Sequence, residues 1–343
     1  MHKKSLIYGY GKTGKSFETY LKRKKIEFEI ISDGFPKIDN EYENIYCSPG
    51  IPRENYLKLK KKFSVFTDID IFFKEDSSIK IGITGTNRKS TTCYHLYQLL
   101  KKDFSVNLIG NIGNPVLDSI NNGKKFSIIE LSSFQLDKVS KIALDYGVLL
   151  NIEPDHLDYH NSFSKYKKTK LRILEAKETS TKSDPYELYN WIVGKKIKKQ
   201  ALKNLSFRFQ KISKNLINDS KSTNSHSLKY AIPKAAKYFG TNEYNLILCG
   251  DPSKENIKKL ELIKPMNVYI YGSYAHQINR CILHENKILC SSLKECLNSI
   301  KTKRNTNKIL FSPGFPSGED YKNFEDRGKY FNKIYKSVFN DKQ

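Results

Sequence analysis

Short β-prone runs alternate with stretches of helical length along nearly the whole chain. Strand-like runs fall at residues 5–8, 28–32, 45–47, 80–84, 106–109, 126–131, 146–151, 216–218, 245–249, 267–271 and 308–311. Helical stretches lie between many of them, at 91–102, 163–177, 225–239 and 320–339. Repetition of a β-run and a helical stretch is the pattern of βα units, which bury a mostly parallel sheet under helices. The fold class read from this is α/β. A length of 343 residues, at about 150 residues per domain, predicts two to three domains. Breaks near residues 77 and 205 make it three: 1–76, 77–204 and 205–343. Residues 178–185 (ETSTKSDP) are polar and read as a loop or a shortened connection.

The net charge of +24 invites a nucleic-acid reading. Only eight of the 60 basic residues are Arg, however, and base recognition leans on the bidentate guanidinium. The lysine excess reads as solvated faces and a compositional bias, with some of it suited to an acidic small-molecule substrate. No nucleic-acid partner is expected. An apolar share of 38% is enough for packed cores. No apolar run approaches the ~18 residues of a membrane span, and the start, MHKKSLIYGYGKTG, lacks a signal-peptide core. A cytoplasmic protein with reduced thiols is expected, since the six cysteines are irregularly spaced and form no C-x-x-C pair.

Three motifs carry chemistry. Gly9-Tyr-Gly11-Lys-Thr-Gly14 follows the first strand directly, with Asp33 at the end of the next. Such a turn lets a phosphate approach a helix N-terminus; alone it is compatible with a nicotinamide dinucleotide, with other nucleotides or with a structural βα turn. The segment Lys80 to Thr92, KIGITGTNRKSTT, is a strand, a loop and a helix start. In a phosphate loop of this kind backbone N–H groups cradle phosphate, Lys89 reaches the β/γ phosphates and the Ser90 hydroxyl ligates Mg2+. Arg88 stands where a glycine is expected. The third cluster is IIELSSFQL, which puts Glu130 at the end of an apolar strand where it could share the Mg2+ held by Ser90. NIEPDHLD then places His156 at another strand end as a second metal or substrate ligand. In the helix that follows, Phe163, Tyr166 and Ile173 mark an inner face on which Lys170 also falls. An inward lysine has a lowered pKa; its neutral amine can take up CO2 and become an anionic carbamate.

These residues together resemble the Mur ligase family, over nearly the whole chain. GITGTNRKSTT is similar to the family's ATP loop, NIGNPVLD (Asn111 to Asp118) to a substrate-contacting turn, and ELSSFQLD, NIEPDHLDYHNSF and the KLRI of Lys170 to the central metal site. INDSKSTN (Ile217 to Asn224) and FSPGFPSGEDYKNFEDRG (Phe311 to Gly328) are similar to its C-terminal domain, in the branch that adds D-glutamate. The resemblance implies a Rossmann-like N-terminal domain for the UDP substrate, a P-loop-type ATP-binding central domain, here shortened, and a Rossmann-like C-terminal domain. It implies an ATP-dependent ligase that joins D-glutamate to UDP-N-acetylmuramoyl-L-alanine through an acyl phosphate, in peptidoglycan precursor synthesis, with ATP and two Mg2+ ions and as a monomer. By position, Gly85, Thr86, Asn87, Lys89, Ser90, Thr91, Arg208 and Asp219 would meet ATP. Ser90 and Glu130 would hold one Mg2+, and His156 with carbamylated Lys170 the other. Lys89, His156, Lys170 and Lys221 would be catalytic. Lys12, Thr13 and Asp33 would lie near uridine, Ser48, Pro49 and Gly50 near the diphosphate, and Asn111 on the muramoyl part. Thr223, Lys254, Ser317 and Phe324 would take D-glutamate.

Three departures from the family pattern stand out: Arg88 in the ATP loop, a short connection after Lys177, and a missing His-Asn segment near adenine, for which Asn190 is the one remnant. They keep open a degenerate homologue that binds the UDP substrate with little ATP turnover. The first motif alone keeps open a nicotinamide-dependent dehydrogenase.

Overall fold

The computed structural model describes residues 4–32, 34–35, 42–254, 259–303 and 306–339, the Lys254 side chain excepted. Asp33 therefore lies outside the described residues. The chain forms two compact units, Met1–Lys203 and Asn204–Gln343.

The first unit holds two parallel sheets. One has the strand order Phe28–Ile31, Lys4–Tyr8, Tyr42–Cys47, Ser64–Phe66. The other runs Val106–Gly110, Phe126–Glu130, Ile79–Thr84, Tyr146–Leu149, Glu178–Ser180. Phe126–Glu130 is buried at every position, as parallel strands covered on both faces must be, and this is why they read as unbroken apolar runs. The sheets on either side of residue 77 share one core, in which Phe17, Ile69 and Phe72 pack with Val116, Leu117, Ile129 and Leu136. Asp76, in the connection, accepts from the Ser78 N–H at 2.9 Å and the Asn121 N–H at 2.8 Å.

Two local expectations need correction. Residues 178–185 are not all loop: Glu178–Ser180 adds a fifth parallel strand beside Tyr146–Leu149. Asp184 then caps the helix Pro185–Val193 by accepting from the N–H groups of Tyr186 and Glu187. The stretch 163–177 is a helix only over Phe163–Leu171, followed by a 3-10 turn at Arg172–Glu175. Its inner face begins at Tyr166, not Phe163. Tyr166 is 1% exposed and Phe163, the first residue after the Ser162 cap, 39%.

The second unit carries a six-stranded sheet in the order Gln210–Ser213, Leu216–Asn218, Ile309–Gly314, Asn245–Cys249, Asn267–Ile270, Lys287–Leu289. All its pairings are parallel except the first. The helix expected at 320–339 begins at Phe324 and ends at Phe339. Its Phe331 stacks on Phe311 with ring centroids 4.1 Å apart.

Candidate active site

In the first unit the loop after Ile79–Thr84 opens the helix Lys89–Leu100. Asn151, at the end of the neighbouring strand, clamps it: its Oδ1 accepts from the Asn87 N–H at 2.8 Å and its Nδ2 donates to the Asn87 carbonyl at 3.0 Å. The Thr86 N–H donates to the Asn151 carbonyl at 2.9 Å, and the Thr86 hydroxyl lies 2.9 Å from that of Tyr166. Gly85 passes so close to this neighbour that an added Cβ would lie 3.0 Å from Leu150 Cβ. Arg88 adopts the left-handed conformation at φ 67, the one a glycine takes without cost. Its side chain is exposed, and Ser90 and Thr91 are half-buried behind it in the first turn. Lys89 folds back over the loop, donating to the carbonyls of Gly85 at 2.8 Å and Thr86 at 2.9 Å. The loop is thus an organised turn whose lysine has carbonyl partners to exchange for phosphate oxygens.

Glu130 ends the adjacent strand, in register with Ile83, and is 1% exposed. One carboxylate oxygen accepts from Asn111 Nδ2 at 2.8 Å. The other, Oε2, is buried with no partner among the described residues. Such an orphaned oxygen is costly unless a cation meets it, so the donor set fits Mg2+. Lys170 is also 1% exposed and donates to Thr84 Oγ1 at 3.3 Å. Burial, then the Lys89 charge, pushes its pKa well down, and Asp155 and Glu130 only partly offset this. The shift favours the neutral amine that carbamate formation needs. His156 sits at φ 51, with its ring 4.9 Å from that of Phe134. Burial lowers its pKa against the pull of Asp155, which favours the neutral imidazole that can ligate. Among the described residues no three His, Cys, Asp or Glu side chains converge as a ready-made metal cage; a cation here would draw on Ser90 and on ligand oxygens as well.

The glycine turn faces a separate cleft of about 760 Å³. Lys12, Thr13, Ser48, Pro49, Gly50 and Asn111 all line it. It opens beyond the carboxyl ends of Lys4–Tyr8 and Tyr42–Cys47, where the strand order reverses, as is usual for ligand sites in such sheets. Gly9 and Gly14 are needed for packing: a Cβ on Gly14 would lie 2.3 Å from the Gly9 carbonyl oxygen, and one on Gly9 2.9 Å from Ser48 Cβ. Asn111, which reaches both this cleft and Glu130, joins the two sites.

The second unit gathers the remaining cationic residues. Phe324 is a platform: Lys221 Nζ lies 4.3 Å and Arg208 Cζ 5.4 Å from its ring centroid. Arg208 is held between Phe207 and Phe209, both at positive φ. The Asp219 carboxylate accepts from the Phe209 N–H at 2.7 Å and from Ser312 Oγ at 3.0 Å, and burial pushes its pKa up to about 7. Thr223 lies on the same loop as Lys221, one residue before the Asn224 cap of the helix Ser225–Phe239. Ser317 is half-buried just beyond Pro316, whose carbonyl accepts from the Asp251 N–H at 2.9 Å. Lys254 closes the short turn Pro252–Lys254.

Three supports were not legible in the sequence. Asn151 holds the ATP-type loop. Lys138, 1% exposed, donates to the Pro49 carbonyl at 2.6 Å. Arg327, fully buried, donates to Phe315 O at 2.9 Å and Ser220 O at 2.8 Å, tying two loops of the second unit together. The one available signal was a polar residue at a strand end or on an apolar helix face.

Residues 83–257 match the family model of the Mur ligase middle domain. The chain is 30% identical to the UDP-N-acetylmuramoylalanine--D-glutamate ligase of Francisella tularensis subsp. tularensis (strain WY96-3418) over 403 aligned positions, covering 96% of this chain and 95% of the relative. It is 30% identical to the protein of the same name from Buchnera aphidicola subsp. Schizaphis graminum (strain Sg), covering 98% of each. Among solved structures it is similar to the MurF ligase of Thermotoga maritima in complex with ADP, with a TM-score of 0.62 at 15% identity, covering 97% of this chain and 94% of that one. A pseudomurein peptide ligase type C from Methanothermus fervidus aligns with a TM-score of 0.56 at 16% identity, covering 98% and 100%.

Proposed function

The chain belongs to the Mur ligase family, and on that premise we propose that it is an ATP-dependent ligase that adds D-glutamate to UDP-N-acetylmuramoyl-L-alanine in peptidoglycan precursor synthesis. The observation that carries the reading is the buried pair Glu130 and Lys170 beside an organised phosphate loop, in a chain matched end to end by ligases of that name. The γ-phosphoryl group of ATP passes to the substrate carboxylate. The amine of D-glutamate then attacks the acyl carbon, phosphate leaves with the bonding electrons and the amine loses a proton. The products are the amide, ADP and phosphate.

Within this reading Gly85, Thr86, Asn87 and Thr91 are assigned to the loop around the nucleotide phosphates, and Lys89 exchanges its loop carbonyls for the transferring phosphate. Ser90 and Glu130 would hold one Mg2+, and His156 with carbamylated Lys170 a second; such ions neutralise crowded phosphate oxygens and developing charge. Arg208 and Asp219 are assigned to the nucleotide and Lys221 to the transferring phosphate. Lys12 and Thr13, with Asp33, are assigned to uridine, Ser48, Pro49 and Gly50 to the diphosphate, and Asn111 to the muramoyl part. Thr223, Lys254, Ser317 and Phe324 are assigned to D-glutamate, whose two carboxylates suit cationic and hydroxyl donors. The glycine turn thus serves a nucleotide sugar, and neither a dehydrogenase nor an inactive homologue is favoured. The three-domain division at 76/77 and 204/205, a monomeric state and a cytoplasmic setting belong to the same proposal. Among the described residues no helix is long and apolar enough to cross a membrane. The test is phosphate release with all four components present: ATP, Mg2+, UDP-N-acetylmuramoyl-L-alanine and D-glutamate. Release that persists undiminished when D-glutamate is omitted overturns the proposal.

A further inference from the structure

Building on that nucleotide-sugar reading, we infer that Lys138 is a positioning residue for the anion-binding turn of the first cleft: its ammonium fixes and polarises the Pro49–Gly50 peptide so that the Gly50 N–H faces the bound diphosphate. Lys138 ends the short helix Ser133–Lys138. Its Nζ donates to the Pro49 carbonyl at 2.6 Å and to the Tyr159 hydroxyl at 2.9 Å. It does not line the cleft; Pro49 and Gly50 do. In a trans peptide the C=O and the following N–H point in opposite directions, and no peptide among the described residues is cis. Fixing the Pro49 carbonyl on Lys138 therefore aims the Gly50 N–H away from Lys138, on the side where the turn borders the cleft. That N–H has no acceptor among the described residues.

A hydrogen bond from a charged donor to the carbonyl also polarises the peptide and makes its N–H a stronger donor to an anion. The turn is held on both flanks as well. Ser48 Oγ donates to the Gly9 carbonyl at 2.6 Å, and Arg53 Nε donates to Asp137 Oδ2 at 2.9 Å. Because Asp137 is engaged by Arg53 and by the Tyr159 hydroxyl at 3.1 Å, the direct partners of the Lys138 ammonium are neutral oxygens. An ammonium buried on neutral partners is expensive, and a diphosphate across the turn supplies the missing opposite charge. A lysine that merely ended a helix would stand in water.

The test is titration calorimetry of the full chain with UDP-N-acetylmuramoyl-L-alanine and, separately, with Mg-ATP. Lys138→Met is expected to weaken the UDP substrate about tenfold, the worth of one charge-assisted contact, and to leave Mg-ATP within about twofold. General loosening of the unit would weaken both ligands alike, and that result overturns the assignment. Equal UDP-substrate affinity in wild type and variant overturns it too. If Lys138→Met does not fold, Lys138→Gln, which keeps a polar group in the cluster, is judged by the same criterion. A wild type that does not bind the UDP substrate overturns the nucleotide-sugar reading itself, whereas a wild type that binds beside an unaffected variant overturns only the role of Lys138.

Discussion

Arg88 holds a left-handed backbone at the mouth of the ATP-type loop, a conformation that costs a non-glycine residue about 1 kcal/mol. Arg88→Gly is therefore expected to stabilise the protein by about that amount, read as a rise in the thermal midpoint, and to lower the KM for ATP by freeing the loop's approach to phosphate. Lys170 offers the opposite trade. Its amine is buried and its pKa is held well down by that burial, so Lys170→Met should match or exceed wild type in thermal stability. Phosphate release should fall about a hundredfold, the scale on which lost electrostatic stabilisation of a reacting centre is felt. A variant that keeps full turnover removes Lys170 from the mechanism. Both residues were legible in the sequence, Arg88 as a break in a phosphate-loop pattern and Lys170 as a cation on an apolar helix phase. The orphaned Glu130 Oε2 was not, since a missing partner is a property of tertiary packing and leaves no local signature.

The strands of the sheets were legible because parallel strands buried on both faces concentrate β-branched and aromatic residues. What escaped were edges and ends. Glu178–Ser180 is polar and largely exposed, as an edge strand is allowed to be, and so it reads as loop. The start of the 163–171 helix reads as a buried face from its own periodicity, while the buried residues are Tyr166, Thr169 and Lys170, because which turn of a helix is covered is decided by tertiary packing. Asn151 shows the same limit: it follows an apolar strand, and nothing local marks it as a clamp. Its two side-chain bonds to Asn87 predict that Asn151→Ala raises the KM for ATP several-fold, a loss of about 1 kcal/mol or more. UDP-substrate affinity should stay as it was. Equal losses for both ligands would mean that the clamp supports the unit rather than the loop.

The chain just before the boundary at 203/204 is rich in exposed lysines, at 195, 196, 198 and 199. Brief trypsin treatment is expected to cut there first and leave two resistant fragments; early cleavage inside either unit would speak against the division at residue 203. A second whole-molecule prediction follows from Lys138, whose pKa burial lowers to about 8. Between pH 8 and the ordinary lysine value of about 10.4 the unfolded chain binds more protons than the folded one. Stability therefore rises with pH across that window. Lys138→Met should lack this rise, and parallel pH profiles of the thermal midpoint for the two proteins would refute it. The charge of +24, so prominent in the sequence, said little about either site, because it does not separate the few lysines at the sites, buried Lys138 and Lys170 among them, from the many exposed ones. Glu130 has a consequence of another kind. One of its oxygens is taken by Asn111, which lines the first cleft, and the other is buried without a partner among the described residues, at the end of the strand beside Ile79–Thr84. A ligand that draws the Asn111 amide away leaves a more strongly negative carboxylate for a cation at Glu130. A ligand in the first cleft is therefore expected to change the affinity for a cation at Glu130, and by thermodynamic reciprocity the factor is the same in both directions.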